Sequence, residues 1–499
     1  MLAVARTVAI EGIDGIPIEV EVSFDPDESA SSFVIIGLPD PAVRESRERV
    51  RTALRSAELE VPRGHVIVNL APATVRKAGA GFDLAIALAL LAASGQVPRS
   101  DVRRVAAFGE LGLDGVLRPV RGTIVAAETA LRQGVDALLC APEAAGEAAA
   151  VGIRALPCRT LGDAAGLLRH DIAILPAQPA SAAALSAAGA GDLADVHGQP
   201  LARRALELAA AGAHHLLLVG PPGVGKTMLA RRLPGILPPL TRGEALVVTR
   251  VHSVAGLLDA GAGLVATRPF RAPHHSASAA ALIGGGPALR PGELPLATHG
   301  VLFLDELPEF RRDALEALRA PLEDGVLRIS RARGSVTFPC ESAVVAAMNP
   351  CPCGAPDASG CTCSAERVAA YRRRVSGPLL DRIDIGVRLV RPEAAVLRSD
   401  RPEGTAAIAG RVRDAVERQA RRGRGPNGRL GPADLAVVAH LDEACETLLR
   451  RAIDRLRLSP RGVDRSLRVA RTIADLAGDE AITSGHLAEA LSVRLGSVA

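Results

Sequence analysis

Gly220-Pro-Pro-Gly-Val-Gly-Lys226-Thr227 decides how this 499-residue chain is read. The segment satisfies G-x-x-x-x-G-K-[ST], in which backbone N–H groups close around phosphate and the lysine reaches the β- and γ-phosphates. Its flanks fit the motif. His215-Leu-Leu-Leu-Val219 has the character of a buried strand, and Thr227 to Leu233 opens a helix. Strand, glycine loop and helix N-terminus together form an anion site. Lysine usage points the same way, because Lys77 and Lys226 are the only lysines and arginine carries the remaining basic charge. A GC-rich genome accounts for the missing lysines but not for the one kept here. A compact ammonium enters such a loop, whereas a planar guanidinium is too wide. Gly220, Pro221, Pro222, Gly223, Val224, Gly225, Lys226, Thr227 and the adjoining Met228 are therefore candidate nucleotide contacts.

Further along the chain, Val301-Leu-Phe-Leu304 is an apolar strand ending in Asp305-Glu306. Carboxylates at a strand end, beside a phosphate loop on a neighbouring parallel strand, suit Mg²⁺ shared by Thr227 and Asp305, with Glu306 polarising water. Ser342-Ala-Val-Val-Ala-Ala-Met348 is a third buried strand that ends in Asn349, either a water-orienting amide or a turn residue before Pro350. Gly377-Pro-Leu-Leu-Asp-Arg382-Ile-Asp384 sets an arginine among acids. It is either a guanidinium supplied across a subunit boundary or a local surface pair.

The bulk numbers frame these motifs. The length suggests about three domains. Apolar residues make up 48% and charged residues 23%, enough for real cores in an ordinary globular protein. A net charge of +4 is too small to imply a polyanion partner by itself. No apolar run reads as a membrane span, and Met1-Leu-Ala-Val-Ala-Arg lacks a signal-peptide pattern, so a cytoplasmic protein without a membrane partner is expected. Thr7–Ile10 and Ile18–Val22 flank the turn Gly12-Ile-Asp-Gly15 as a hairpin, His65–Asn69 reads as a strand, and Phe82–Ala93 as a buried helix. The Ala/Pro/Ser-rich stretch after Asp171 reads as a linker. After it come an α/β unit and an arginine-rich helical tail with a cap at Ser484.

Taken in order, phosphate loop, Leu-Asp-Glu, strand-terminal Asn and Leu-Leu-Asp-Arg resemble the AAA+ ATPases. Asp195-Val-His-Gly-Gln199, Arg271-Ala-Pro-His274-His275, Pro291-Gly-Glu293 and Ser459-Pro-Arg461 through Arg468-Val-Ala-Arg471 resemble the magnesium-chelatase-like branch, nearest the ComM/YifB proteins. That resemblance implies a central AAA+ P-loop α/β domain at 192–395 carrying a four-cysteine loop, and a helical lid at 396–499. It also implies ATP and Mg²⁺ as cofactors, with Val196, Gly198 and Gln199 around the adenine. Lys226, Asp305, Glu306 and Asn349 would act in hydrolysis, Arg382 as a finger acting in trans, and Arg468, with Arg461, Arg465 and Arg471 close by, as the lid's sensor arginine. The implied activity is that of an ATP-dependent, ring-forming, hexameric branch-migration motor on DNA; the alternative is the motor subunit of a magnesium or cobalt chelatase.

Residues 1–170, followed by a linker at 171–191, carry a second likeness. Ala107-Phe-Gly-Glu-Leu-Gly-Leu-Asp-Gly and Ala80-Gly-Phe-Asp-Leu resemble the α+β proteolytic domain of Lon-type proteases. The serine and lysine of that Ser–Lys dyad would fall at Gly81 and Ile124, so a protease fold without protease activity is expected.

Two further clusters complete the reading. Cys351, Cys353, Cys361 and Cys363 form C-x-C-x7-C-x-C, which is either a tetrahedral zinc site or reduced cysteines in a tight loop. Gly325–Phe338 reads as a hairpin with Arg331 and Arg333 near its tip, suited to gripping DNA phosphates. Arg421, Arg422 and Arg424, within the 418–429 stretch, are either a backbone-tracking loop or solvated charge.

Overall fold

The apolar run after Phe82 forms the helix Asp83–Ala93, and all its residues are buried. A carboxylate inside such a core needs partners. Asp83 receives Nε of Arg49 at 2.7 Å, Nη2 of the same guanidinium at 3.0 Å and the Leu111 N–H at 3.2 Å. The hydrogen bond to Asp83 and the charge of that carboxylate raise the Arg49 pKa against the cost of burial. The computed structural model describes residues 1–26, 32–182, 191–259, 261–286, 289–331, 334–355, 360–393, 396 and 402–494. They form two units. One comprises Met1–Ala184, Arg242–Ala266 and Ser330–Thr337; the other comprises Leu185–Thr241, Thr267–Ile329 and Phe338–Ala499.

The first unit is built on a seven-stranded mixed sheet. Its hairpin pairs Leu2–Glu11 with Asp14–Asp25 and sets Glu11 opposite Asp14. The turn is therefore Gly12-Ile13 alone, tighter than the sequence suggested, with Gly12 at φ 63°. The expected strand near His65 runs His65–Ala71. The helix Arg242–Ala255, distant in sequence, belongs to this unit. Arg242 Nη2 donates to the Ala150 carbonyl at 3.2 Å, and Arg250 pairs with Glu128 at 3.4 Å. The Gly122 N–H donates to Ser253 Oγ at 3.0 Å, and the Ser253 hydroxyl bonds Glu147. Burial pushes the Glu147 carboxyl up, because hydrogen bonds from Ser253 and Ile124 only partly replace its lost water.

The second unit is built on a five-stranded parallel sheet in the order Phe270–Arg271, Val301–Leu304, Ala343–Met348, Leu216–Val219, Ile385–Arg388. A parallel sheet is covered on both faces, which is why its central strands are apolar at every position. The helices Pro200–Gly212, Lys226–Ile236, Thr405–Arg422 and Pro460–Ala477 share that core through Ala205, Leu229, Val412 and Ile473. The cap expected at Ser484 lies one residue earlier: Thr483 accepts the His486 N–H at 3.4 Å, since a cap side chain must precede the first helical turn. No helix among the described residues is long and apolar enough to cross a membrane.

Candidate nucleotide site

The loop after Leu216–Val219 carries positive-φ glycines at Gly223 and Gly225, at 78° and 93°. That conformation favours glycine and turns the loop onto the first turn of Lys226–Ile236, where unpaired helix N–H groups face anions. Lys226 Nζ bonds the carbonyls of Gly220 at 2.6 Å and Pro221 at 2.9 Å, and Asn349 Oδ1 at 3.0 Å. Burial lowers the Lys226 pKa, opposed by Asp305 and Glu306. Thr227 Oγ1 donates to Asp305 Oδ2 at 2.8 Å, a hydroxyl–carboxylate donor set that suits a hard cation such as Mg²⁺.

Asp305 is not on the strand beside the phosphate loop, as the sequence suggested. Ala343–Met348 intervenes, pairing with Val301–Leu304 on one side and Leu216–Val219 on the other. That insertion brings Asn349 between lysine and acids. Glu306 adopts φ 53°, uncommon for a residue with a side chain, and its N–H donates to Asp305 Oδ1 at 3.0 Å. His275 Nδ1 lies 3.2 Å from Glu306 Oε2, and its ring lies 4.0 Å from that of His274. The sequence offered only a histidine pair. The pairing of the two strands brings the segments together: Arg271 is opposite Leu302 at the end of the ladder, and His275 and Glu306 follow in the turns four residues on from each. Arg271 and Glu293, also noted as motif residues, meet in two bonds of 2.6 and 2.8 Å.

Gln199 and Val196 are buried, and Gln199 Nε2 donates to the Val390 carbonyl at 2.7 Å. Next to Val390, the Leu389 N–H bonds the Val219 carbonyl at 2.7 Å, so the segment that holds Gln199 adjoins the strand leading into the phosphate loop. Gly198 has φ 68°, and a Cβ there would lie 2.5 Å from Pro392. Val224 is buried behind the loop, and Met228 packs partly against the core.

Arg382 and Arg468 lie elsewhere. His215, Ser342 and Asp384 immediately precede three parallel strands, and both arginines share with them a cavity of about 460 Å³ at that N-terminal edge of the sheet. The phosphate loop, Asp305 and Asn349 occupy the C-terminal edge, one strand of four residues (about 13 Å) away. Arg382 donates to the Pro378 carbonyl at 2.7 Å and pairs with Glu323, which Arg461 also approaches at 3.4 Å. The Nε atoms of Arg382 and Arg468 are buried with no hydrogen-bond partner among the described residues. Arg465 lies 3.5 Å from Asp384, and Arg471 is held at 3.1 Å from Asp475.

The four cysteine sulfurs lie within 4.8 Å of one another, with Cys351–Cys353 at 3.3 Å, Cys361–Cys351 at 3.5 Å and Cys353–Cys361 at 3.7 Å. Of the arginines considered for DNA, Arg422 bonds both oxygens of buried Asp475 at 2.6 Å, and Arg424 pairs with Asp434. Arg421 is largely exposed, 3.7 Å from Glu417. The 418–429 stretch is thus mostly neutralised within the fold: it closes the helix Thr405–Arg422 against Asp475 rather than forming a free basic loop. Arg333 and the side chain of Arg331 lie outside the described residues; the hairpin strands run Val326–Arg331 and Gly334–Pro339.

In the first unit, a Cβ on Gly81 would lie 2.7 Å from the Phe108 ring. Ile124 is buried, and its N–H donates to Glu147 Oε1 at 3.1 Å. Lys77 is buried with its ammonium on the Pro72 carbonyl, and burial lowers its pKa.

A parallel sheet with phosphate loop, acid pair and asparagine on one edge defines a P-loop NTPase of the AAA+ class. Residues 192–397 match the family described as magnesium chelatase, subunit ChlI; residues 402–494 match its C-terminal family and residues 19–144 a further ChlI family of Mg-chelatase. The chain is 40% identical to competence protein ComM of Haemophilus influenzae over 499 residues, covering 99% of this chain and 97% of that protein. It is 41% identical to YifB of Salmonella typhimurium over 502 residues, with 99% and 97% covered. An uncharacterised protein of Mycobacterium tuberculosis is 44% identical over 497 residues, 98% of each chain. The chain belongs to the ComM/YifB family of magnesium-chelatase-like AAA+ ATPases.

Proposed function

We propose that this protein is an ATP-driven DNA motor that works as a closed ring, a hexamer in its active form, and moves branch points during recombination of incoming DNA in the cytoplasm. The observation that carries the ring is the separation of the two half-sites. Lys226, Thr227, Asp305 and Asn349 gather at one edge of the sheet, while Arg382 and Arg468 face away at the other. One chain cannot bring both sets to the same phosphate, so the arginines serve a neighbour's nucleotide. Lys226 would leave the Gly220 and Pro221 carbonyls for the β- and γ-phosphates. Thr227 and Asp305 would hold the Mg²⁺ that offsets phosphate charge. Glu306, steadied by His275, polarises the attacking water, and Asn349 orients it. Arg382 and Arg468 from the next subunit stabilise charge on the transferred phosphoryl group. The adenine sits by Val196, Gly198 and Gln199.

The DNA reading is supported by the competence role in the name of the Haemophilus relative and by the arginines Arg331 and Arg333 within the 326–339 hairpin segment. In the first unit the missing hydroxyl and amine at Gly81 and Ile124 favour docking or assembly over proteolysis. ATP turnover measured against single, duplex, forked and four-way DNA at low salt, with mass determined in the presence of ATP, tests the whole reading. Stimulation by branched DNA of a ring-sized species is expected, and absence of stimulation by saturating branched DNA overturns it. The three chelatase-family matches favour one competitor, a motor for metal insertion into a tetrapyrrole. Co-purification of a large chelatase subunit would select that reading.

A further inference from the structure

The cysteine cluster does more than sit downstream of Asn349. In a tetrahedral tetrathiolate site with Zn–S bonds of about 2.3 Å, sulfurs are about 3.8 Å apart. Three of the sulfurs, those of Cys351, Cys353 and Cys361, are 3.3, 3.5 and 3.7 Å apart, close to that spacing, and the Cys363 sulfur lies within 4.8 Å of each of them. All four cysteines are free thiols, and four thiolates without carboxylate or water donors select zinc over magnesium or calcium.

The knuckle that carries the first two sulfurs touches the nucleotide machinery. Gly354 closes a turn by donating its N–H to the Cys351 carbonyl at 3.0 Å. Its φ is 72°, and a methyl group there would lie 2.8 Å from both Cγ and Cδ of Pro222 in the phosphate loop. Asn349, two residues before Cys351, bonds Lys226 at 3.0 Å. After the second cysteine pair, the helix Ala365–Arg373 returns Tyr371 to Asn349, whose backbone hydrogen bond opposes the rise that burial imposes on the phenol. The cluster therefore lies between Asn349 and the helix that returns Tyr371 to it, with Gly354 set close beside Pro222 of the phosphate loop.

We propose that Cys351, Cys353, Cys361 and Cys363 bind one Zn²⁺ and that this metal knuckle braces the phosphate loop through Gly354 and Pro222, so that zinc and nucleotide bind with positive coupling. The role is positional, since no thiolate is required at the phosphates. The coupling rests on the nucleotide reading of Lys226; the metal site does not. Linkage requires that zinc tighten nucleotide binding and that nucleotide tighten zinc binding by one and the same factor, here about tenfold.

Elemental analysis and fluorescent ADP titration of the full chain test this. One zinc per chain is expected, and its removal by a chelator should weaken ADP about tenfold, with recovery when zinc is returned. Saturating ADP should protect zinc from the chelator by the same factor. Cys361→Ser should lose zinc and weaken ADP to the same extent, and the reversible arm covers the case in which that variant does not fold. Gly354→Ala should keep its zinc yet bind ADP more weakly, because the methyl group displaces Pro222. Lys226→Ala should keep zinc and lose ADP, which separates a failed nucleotide reading from a failed metal site. Protein without zinc after reconstitution, iron in its place, or zinc removal that leaves ADP affinity unchanged overturns the proposal.

Discussion

The two edges of the motor's parallel sheet differ in completeness. At the C-terminal edge, cation, hydroxyl and acids already satisfy one another: Lys226 on Asn349 at 3.0 Å, Thr227 on Asp305 at 2.8 Å. At the N-terminal edge, Arg382 and Arg468 line an open cavity with buried Nε atoms that have no partner among the described residues. Buried donors without acceptors are costly unless a ligand supplies the acceptors. One edge thus holds its polar groups in mutual hydrogen bonds, whereas the other keeps two guanidinium Nε atoms without a partner among the described residues, the asymmetry on which the proposed ring rests.

That contrast can be broken most sharply at Arg382. Arg382→Ala should leave nucleotide affinity within a few-fold of wild type but reduce turnover about 1,000-fold or more. Mixing it with Lys226→Ala subunits should restore part of the hydrolysis, because each variant supplies the half-site the other lacks. If the mixture shows no recovery, the edges do not cooperate between subunits. Lys226→Ala alone should weaken ATP about 100-fold, as expected for removing a partly buried charge from a charged ligand, with equilibrium titration as the check. Glu306→Gln should bind ATP yet hold it unhydrolysed, and His275→Ala should lower turnover about tenfold by releasing the Glu306 carboxylate; single-turnover rates distinguish these.

The smallest effect concerns stability and is confined to the arginine edge. His215 Nδ1 accepts the Val344 N–H at 3.1 Å, and burial holds its pKa down at about 4. The unfolded chain binds a proton near pH 6.5 that the folded chain refuses, so stability falls as pH drops from 6.5 towards 4, by about 3 kcal/mol at most. Asp384, held at about 2 chiefly by His214 against the cost of burial, loses its contribution only below about pH 4. His215→Asn should flatten melting temperature against pH in the upper window only; an unchanged slope there would assign the acid sensitivity to another group.

Much of the nucleotide edge was legible because its parts are local. Gly220–Thr227 announces its loop through glycine spacing, and Val301–Leu304 and Ala343–Met348 announce buried strands by apolar runs ending in Asp305 and Asn349. What the pattern concealed was adjacency. It could not show that Ala343–Met348 separates the acid strand from the loop strand, nor that His275 meets Glu306, because both depend on strand order and register. Arg422 looked like part of a basic loop, yet its guanidinium is bound to Asp475, which lies far along the chain. The helix Arg242–Ala255 carries no local sign that it belongs with Glu147 and Gly122.

Residue order alone supplies the chemistry available to this protein: a phosphate-binding loop, a metal-ready acid, a set of thiols, and an N-terminal region without nucleophile or lysine at Gly81 and Ile124. Motifs of that kind are written over a few consecutive residues, where backbone conformation and side-chain type suffice. Only the tertiary structure decided which groups share a site. Packing strands in a non-sequential order set Lys226 against Asn349, set Gly354 against Pro222, and left Arg382 with Arg468 on the far edge. The physical reason is that contacts between distant segments are fixed by burial of apolar faces and by ladder pairing, neither of which any short stretch specifies alone.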